Sequence, residues 1–400
     1  MPLDGLRVLE FGHYLAGPFA ATILADFGAE VIKVEPLGSP DLSRGAFGPT
    51  DKRDPERSPF FAVLARNKKS VSIDLRSDDG LEVLLKLVAR SDVIIENFRP
   101  GKMEAIGLGP DDVKKVNPDL TYVRISGFGQ VGPASQRAGV DDIAAAMGGL
   151  TFLTGYPDGP PVRPGMTVGD HGAAMVAALG VTLALLAHRR SGIGGQLIDV
   201  SLYDPILMML DDIPASFSRD GTERQRVGNG HEYAAPSGIY RCLDDKWVAL
   251  SASSEALFAR LSDALEWGDD FIAPLATMSA RIENRARLDQ AISDWCALRT
   301  AEDAVSVLAE AGLPVGVVND IPGLLSDPHM KARGDFETLH DDRLGEFVVA
   351  APKPRLSKTP GQIRSQAPGI GEHTEAVLRD VVECSPEELD RLRSLGVIVQ

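Results

Sequence analysis

Cysteine is scarce in this 400-residue chain: Cys242, Cys296 and Cys384 are an odd number, far apart, and no CxxC pair occurs. That leaves no disulfide framework and no thiolate metal site to read, and it points to a reducing compartment. Basic charge is short as well. Lys and Arg number 41 against 57 Asp and Glu, a formal net charge of −16. Nucleic acids and anionic membranes are met by basic surfaces, so the balance argues against both as partners. It leaves room for an anionic small molecule, which needs only a local cluster of donors. Long apolar runs are missing too. The longest, 173–187, has Gly180 inside it and falls short of the roughly 20 residues that a membrane span needs. It reads as a buried helix. The opening MPLDGLRVLEFG is acidic and runs straight into a strand pattern, unlike a secretory leader. By elimination, the expectation is a cytoplasmic protein.

Several catalytic signatures are also absent. The seven histidines are scattered, with no HExxH and no His/Cys/Asp cluster at ligand spacing, so no metal site is expected. There is no GxSxG elbow and no GxxxxGK[ST] loop. The run Gly192–Ile193–Gly194–Gly195 departs from GxGxxG and precedes a strand pattern, which makes it a turn.

What is present is an ordinary globular composition, 44% apolar and 24% charged, with 40 Gly and 27 Pro. The length exceeds what one core usually serves, so two folding units are expected. Apolar strand patterns at 6–11, 30–34, 70–75, 92–96, 121–126 and 196–201 alternate with helical ones at 18–27, 78–90 and 111–116. That alternation predicts an α/β fold with a mostly parallel sheet covered on both faces. Ligands in such sheets sit at the carboxyl ends of the strands, so 12–17, 97–101 and 127–132 are the candidate pocket loops. After residue 201 the pattern changes. A polar stretch at 218–231 reads as a linker, and a hairpin at 239–242 and 247–251 follows. Helices come next at 255–265, 282–298 and 301–311, the last with Thr300 as N-cap. A second hairpin near 341–345 and a helix opened by the capping box Ser385–Glu388 close the chain.

One residue stands out physically. Asp170 is the last polar side chain but one before the apolar run, flanked by Gly169 and Gly172. An aspartate there can cap a helix, accepting backbone N–H bonds at the positive end of the dipole, which favours its charged form. The spacing alone does not separate a structural cap from a reactive carboxylate. A carboxylate with no base beside it suits attack on an activated acyl group.

The segments LDGLRVLEFGHYLAGPFAATILADFGAEVIKVE, RNKKSVSIDLRSDDGLEVLLKLVARSDVIIENFRPGKMEAIGLGPDDVKKVNPDLTYVRISGFGQVGP, VGDHGAAM, SGIGGQLIDVSLYD and GEHTEAVL run nearly end to end. Together they resemble the class III coenzyme A-transferases of CaiB/BaiF type, a family that also contains the alpha-methylacyl-CoA racemases. The resemblance implies a nucleophilic Asp170 that passes through an aspartyl mixed anhydride and an aspartyl-CoA thioester. Coenzyme A enters as a substrate, with no prosthetic group and no metal. Dicarboxylyl-CoA donors such as succinyl-CoA are implied. Coenzyme A contacts carry over to Leu15, Ala16, Ile73, Leu75, Arg76, Asn97, Phe98, Arg99, Val140 and Asp141. Each arginine, taken alone, also reads as a solvated surface cation. Two positions where some members carry arginine are Leu37 and Ala105 here, and Lys102 and Arg137 are the cations expected to supply replacement charge. The loop Gly228–Asn229–Gly230 is expected to border the acyl pocket, as is Asp141.

In the racemase branch a histidine thirty positions before the aspartate serves as base. Here that position is Val140, which cannot move a proton. The racemase, and a silent coenzyme A-binding scaffold, stand as alternatives. The resemblance further implies an interlocked homodimer. Its large Rossmann-like domain is built from both chain ends (1–205 and 319–400), joined by a linker (206–228) to a smaller α+β domain (229–318).

Overall fold

Six apolar strands pair in parallel in the computed structural model, which describes residues 1–45 and 58–398. They are β1 (Arg7–Glu10), β2 (Glu30–Pro36), β3 (Lys68–Ile73), β4 (Val93–Glu96), β5 (Thr121–Ser126) and β6 (Leu197–Ser201), in the order β3-β2-β1-β4-β5-β6. The predicted parallel sheet is therefore present. Alternation along the strands sends two apolar sets to opposite faces. Leu9, Ile32, Val71 and Ile94 meet one cluster, which Val377, Leu378, Leu389 and Leu392 from the end of the chain complete. Val8, Val31, Val93, Ile95 and Val123 meet the other. That second cluster is closed by helices α1 (Ala16–Asp26) and α4 (Val168–Ser191), with α2 (Asp78–Ala89) and α3 (Asp141–Met147) between them in the chain.

The chain divides into two compact units. The first comprises Met1–Leu150, Arg163–Thr222 and Gly334–Gln400; the second comprises Thr151–Val162 and Glu223–Arg333. In the first unit the late segment is stitched to the sheet: the His373 amide donates to the Ser70 carbonyl, and Ile73 bridges Ile398. Its final helix, Pro386–Ser394, is capped by Ser385, which accepts the Glu388 amide as the capping box predicts.

In the second unit β7 (Ser237–Arg241), β8 (Trp247–Ser251) and β9 (Val315–Val317) form an antiparallel sheet over a core of Tyr240, Val248, Leu261, Ile292 and Leu308. β9 lies at the end of the block expected at 229–318, where the sequence pattern predicts no strand. Its three residues are too few to show an alternating pattern, and pairing with β8 makes the strand. Part of the expected linker at 218–231 is also ordered differently, since the helix Ile213–Asp220 covers its start.

Helix α4 corrects a second expectation. Its Ala173, Ala174, Ala177, Ala178, Val181 and Ala184 are buried, but Met175, Leu179, Leu183 and Leu186 are each 46–58% exposed. The run was read as buried throughout because an all-apolar segment carries no polar face to mark the outward side.

Candidate functional site

β1 and β4 are neighbours in the sheet but not in the chain, so the strand order reverses between them, the place at which parallel sheets of this kind hold ligands beyond the carboxyl ends of their strands. The loop after β1 is held from beneath by buried charge. Lys33 Nζ donates to the Gly12 carbonyl (2.9 Å) and Lys68 Nζ to the Pro18 carbonyl (2.7 Å). Both ammonium groups also pair with Glu10, at 2.7 and 2.6 Å, and Lys33 pairs with Asp41 at 2.7 Å. Asp41 in turn accepts the Tyr14 amide at 3.1 Å. These side chains are shut off from water, so each desolvated charge is held by its partners and the loop has little freedom.

The same loop is tied sideways to the one after β4. Asn97 Oδ1 accepts the His13 amide (2.8 Å), Asn97 Nδ2 donates to the His13 carbonyl (2.9 Å), and the His13 ring stands edge-on to Phe98 at 4.7 Å. Burial holds the His13 imidazole below its ordinary value. Leu15 and Ala16, both buried, open α1 directly after this junction. Ile73 ends β3, and Leu75 and Phe98 pack on the cluster that contains it. Among the predicted contacts, 15–16 follow directly on the His13–Asn97 junction, and Ile73, Leu75 and Phe98 share one apolar cluster.

Arg76, Arg99, Lys102 and Arg137 are exposed, and none has an ion-pair partner among the described residues. Arg137 lies over the Phe128 ring at 5.2 Å, and no described contact joins it to Arg76 or Arg99. Leu37, one of the positions lacking arginine, donates its amide to the Ile73 carbonyl. In the second unit, Gly228–Asn229–Gly230 is anchored by Asn229 Nδ2, which donates to the Tyr156 hydroxyl at 3.0 Å.

Asp170 sits in the first turn of α4, with Thr167 at the N-cap position. The carboxylate that caps this helix is Asp141. Its Oδ1 accepts the amides of Gly169 (2.7 Å) and Asp170 (3.0 Å). Two close approaches make room for it. A side chain at Gly169 would come within 3.1 Å of Asp141 Oδ1, and a Cβ at Gly139 would lie 2.7 Å from the Gly127 Cα, so the loop after β5 and the segment before Asp141 touch backbone to backbone. Val140, at the N-cap position of α3, is exposed.

The expectation that Asp170 caps the helix and is kept charged by it is therefore overturned. With Asp141 occupying the amides, no hydrogen-bond or ion-pair partner holds the Asp170 carboxylate among the described residues. Burial first, and then the charges of Asp141 and Asp142, push it up to about 6. His171 is turned elsewhere: its Nδ1 lies 2.8 Å from both the hydroxyl and the carbonyl of Thr167, and its ring stands edge-on to Phe19. The product is a half-buried, partnerless carboxylate of raised basicity at the edge of a helix start. Such a group can attack an electrophilic acyl carbon. The capping role of Asp141 was not legible in sequence, because a carboxylate 29 positions before its amide partner leaves no local pattern.

Over 398 residues the chain is 41% identical to the succinyl-CoA–D-citramalate CoA-transferase of Chloroflexus aurantiacus, covering 99% of this chain and 98% of that protein. It is 40% identical over 402 residues to the alpha subunit of the succinyl-CoA–L-malate CoA-transferase of the same organism (100% and 93% covered). It is 33% identical over 402 residues to the succinyl-CoA:glutarate CoA-transferase of Mus musculus (100% and 91%). A crystal structure of a CAIB/BAIF family protein from Brucella suis superimposes with a TM-score of 0.84 at 32% identity, covering 95% of this chain and 99% of that one. The family model described as CoA-transferase family III matches residues 3–374. With a six-stranded parallel sheet whose order reverses between β1 and β4, and this likeness along almost its whole length, the chain belongs to CoA-transferase family III.

Proposed function

We propose that the protein moves coenzyme A from succinyl-CoA to a small dicarboxylate, hydroxylated as in malate or citramalate, with Asp170 as covalent nucleophile. The observation that carries this reading is the Asp170 carboxylate itself, which has no partner among the described residues and is raised in basicity inside a family III chain. The relatives named for hydroxydicarboxylate acceptors are 40–41% identical, against 33% for the one named for glutarate.

In the first step an Asp170 oxygen attacks the thioester carbonyl, the C–S bond breaks and coenzyme A leaves as thiolate, giving a mixed anhydride. The thiolate then attacks the aspartyl carbonyl, releasing succinate and forming an aspartyl-CoA thioester. The acceptor carboxylate attacks that thioester, and the returning thiolate takes the acceptor's acyl group, which restores Asp170. Each step is acyl transfer between oxygen and sulfur, so coenzyme A is a substrate and no resident cofactor is required. The anhydride needs protection from water.

For the coenzyme A moiety, Leu15, Ala16, Ile73, Leu75, Asn97 and Phe98 are the contacts we infer beyond the carboxyl ends of the strands. Arg76, Arg99, Lys102 and Arg137, exposed and without an ion-pair partner among the described residues, are the cations we infer to meet its phosphates. Val140 and Asp141 border the acyl end. Alpha-proton exchange is disfavoured, because Val140 stands where the racemases carry a base and His171 is engaged by Thr167. We further infer a cytoplasmic homodimer of two-domain subunits, supported by the exposed apolar ridge of α4, which a partner copy would cover.

The test is incubation with succinyl-CoA and a panel of carboxylic acids. The expected result is a new thioester from a hydroxydicarboxylate, a coenzyme A adduct on the Asp170 peptide by mass spectrometry, and loss of both in Asp170→Ala. Transfer at the wild-type rate in that variant overturns the reading.

A further inference from the structure

The 97–101 segment carries Asn97, Phe98 and Arg99 and is followed by Lys102 on the short helix Lys102–Ala105. It is pinned at both ends by one guanidinium. Glu96, the last residue of β4, folds back so that its Oε2 accepts the Phe98 amide at 2.7 Å. Its Oε1 accepts Arg124 Nε, from the neighbouring strand β5, at 2.8 Å. The other face of Arg124 forks onto Glu104 on the short helix, Nη1 to Oε1 at 2.8 Å and Nη2 to Oε2 at 3.2 Å. Glu96 is 1% exposed and Arg124 is 6% exposed. Buried ions at strand ends are often no more stabilising than apolar residues of similar size, so this cluster is not explained by stability alone. None of the three side chains touches Asp170 among the described contacts. What they do hold is the segment.

We propose that Glu96 and Arg124 are positioning residues. Clasped with Glu104, they fix the 97–101 segment in the shape that receives coenzyme A, and they set affinity for the coenzyme A moiety without taking part in acyl transfer. This rests on the reading of 97–99 as a coenzyme A loop. The clasp works only while Glu96 is ionised. Both of its oxygens face donors, so a proton on either one has no acceptor to meet and displaces the Phe98 amide or the Arg124 Nε–H. The charged and titratable groups facing it are Arg124 and Tyr122 from β5 and Glu104 from the short helix. Burial dominates, and Glu96 is pushed up to about 7 although Arg124 and the Phe98 amide pull the other way. Above that value the clasp is closed. Below it the segment loosens.

The experiment is steady-state transfer from succinyl-CoA between pH 6 and 9, with calorimetric binding of free coenzyme A alongside. In the wild type, KM for succinyl-CoA is expected to rise as pH falls through about 7. Glu96→Gln presents an amide to one of the two donors, so KM at pH 8 is expected to rise about tenfold with kcat within about twofold, and its dependence on pH to vanish. Glu104→Gln, at the exposed end of the clasp, tests the same idea where the fold is least at risk, with an expected rise of about threefold. Unchanged KM in both variants overturns the proposal. So does an equal fall of kcat and affinity in Glu96→Gln together with a lowered Tm, which is the mark of a merely structural pair. A wild-type protein that binds coenzyme A but transfers it to nothing sinks the transfer reading, while weaker binding in Glu96→Gln would still support the clasp.

Discussion

Two aspartates at one helix start divide the work of that helix terminus. Asp141 takes the amides, and Asp170 is left free with a raised affinity for protons. A nucleophilic carboxylate must be ionised, and the folded-state value lies near 6, above the ordinary 3.8. Transfer rate is therefore expected to rise with pH through about 6 and to level off above it. Replacing Asp141 by Asn keeps an acceptor for the two amides but removes the nearest negative charge. Asp141→Asn should then move the acid limb of kcat to lower pH, with a loss of maximal rate of about tenfold or less, whereas Asp141→Ala should cost more by freeing the helix start. pH–rate profiles of the two variants decide this; an unmoved limb in Asp141→Asn would show that the charge of Asp141 does not reach Asp170. Asp170 was legible in the sequence because a polar residue before an apolar run is a local signal. Its true environment was not, because the group that takes the amides arrives from another helix.

Helix α4 (Val168–Ser191) shows the same limit one level up. Its length and helical character follow from the run of Ala, Leu and Val, and its mean hydropathy of 1.6 over the most apolar window matches that of a membrane span by composition alone. Tertiary packing separates its faces. Alanines and Val181 meet Ala20, Ala21 and Leu24 of α1 closely, as small side chains permit, and the larger Met175, Leu179, Leu183 and Leu186 point outward. If that ridge is covered by a second copy, Leu183→Glu buries an unpaired charge at the interface. The expected outcome is a shift from dimer to monomer by light scattering after size exclusion, with Asp170 activity reduced in step. A wild-type monomer, or a variant that stays dimeric, removes the ridge from the interface.

Across the large unit, buried charge links elements far apart in the chain. Glu10, Glu35 and Asp41 meet Lys33, Lys68 and Arg44, three carboxylates against three cations, drawn from β1, β2, the first residue of β3 and the segment after β2. Ser70 extends the cluster by donating to Glu35, and Gly371 from the late segment donates its amide to Ser70. Glu10 is the shared partner of both lysines. Glu10→Gln leaves two buried ammonium groups with one fewer carboxylate, at an expected cost of about 3–5 kcal/mol, visible as an earlier denaturation midpoint. The loop after β1 and the start of α1 should loosen with it, because Lys33 and Lys68 hold the Gly12 and Pro18 carbonyls. A midpoint within error of the wild type would mean that the cluster is not what holds the loop.

Local pattern was enough for the parallel α/β class, the six strands of the sheet and the helices near 18–27, 78–90 and 111–116, the helix caps at Thr300 and Ser385, and Asp170 as a residue of interest, but not for the helices Pro59–Ala65 and Asp141–Met147. The legible features are local properties: side-chain period, turn residues and capping spacings act within a few positions of one another. Only the tertiary structure decided which carboxylate holds the amides of α4, which face of that helix is covered, that β9 belongs with β7 and β8, and that Glu96 and Glu104 share Arg124. Each of these pairs groups from different elements, and their energies depend on desolvation and approach distance. The scarcity of basic residues takes on a different meaning at this level. The net charge of −16 describes the whole chain, whereas Lys33, Arg44, Arg66, Lys68 and Arg124 are buried against carboxylates. Arg76, Arg99, Lys102 and Arg137, without an ion-pair partner among the described residues, stand on segments that the coenzyme A reading assigns to its contacts.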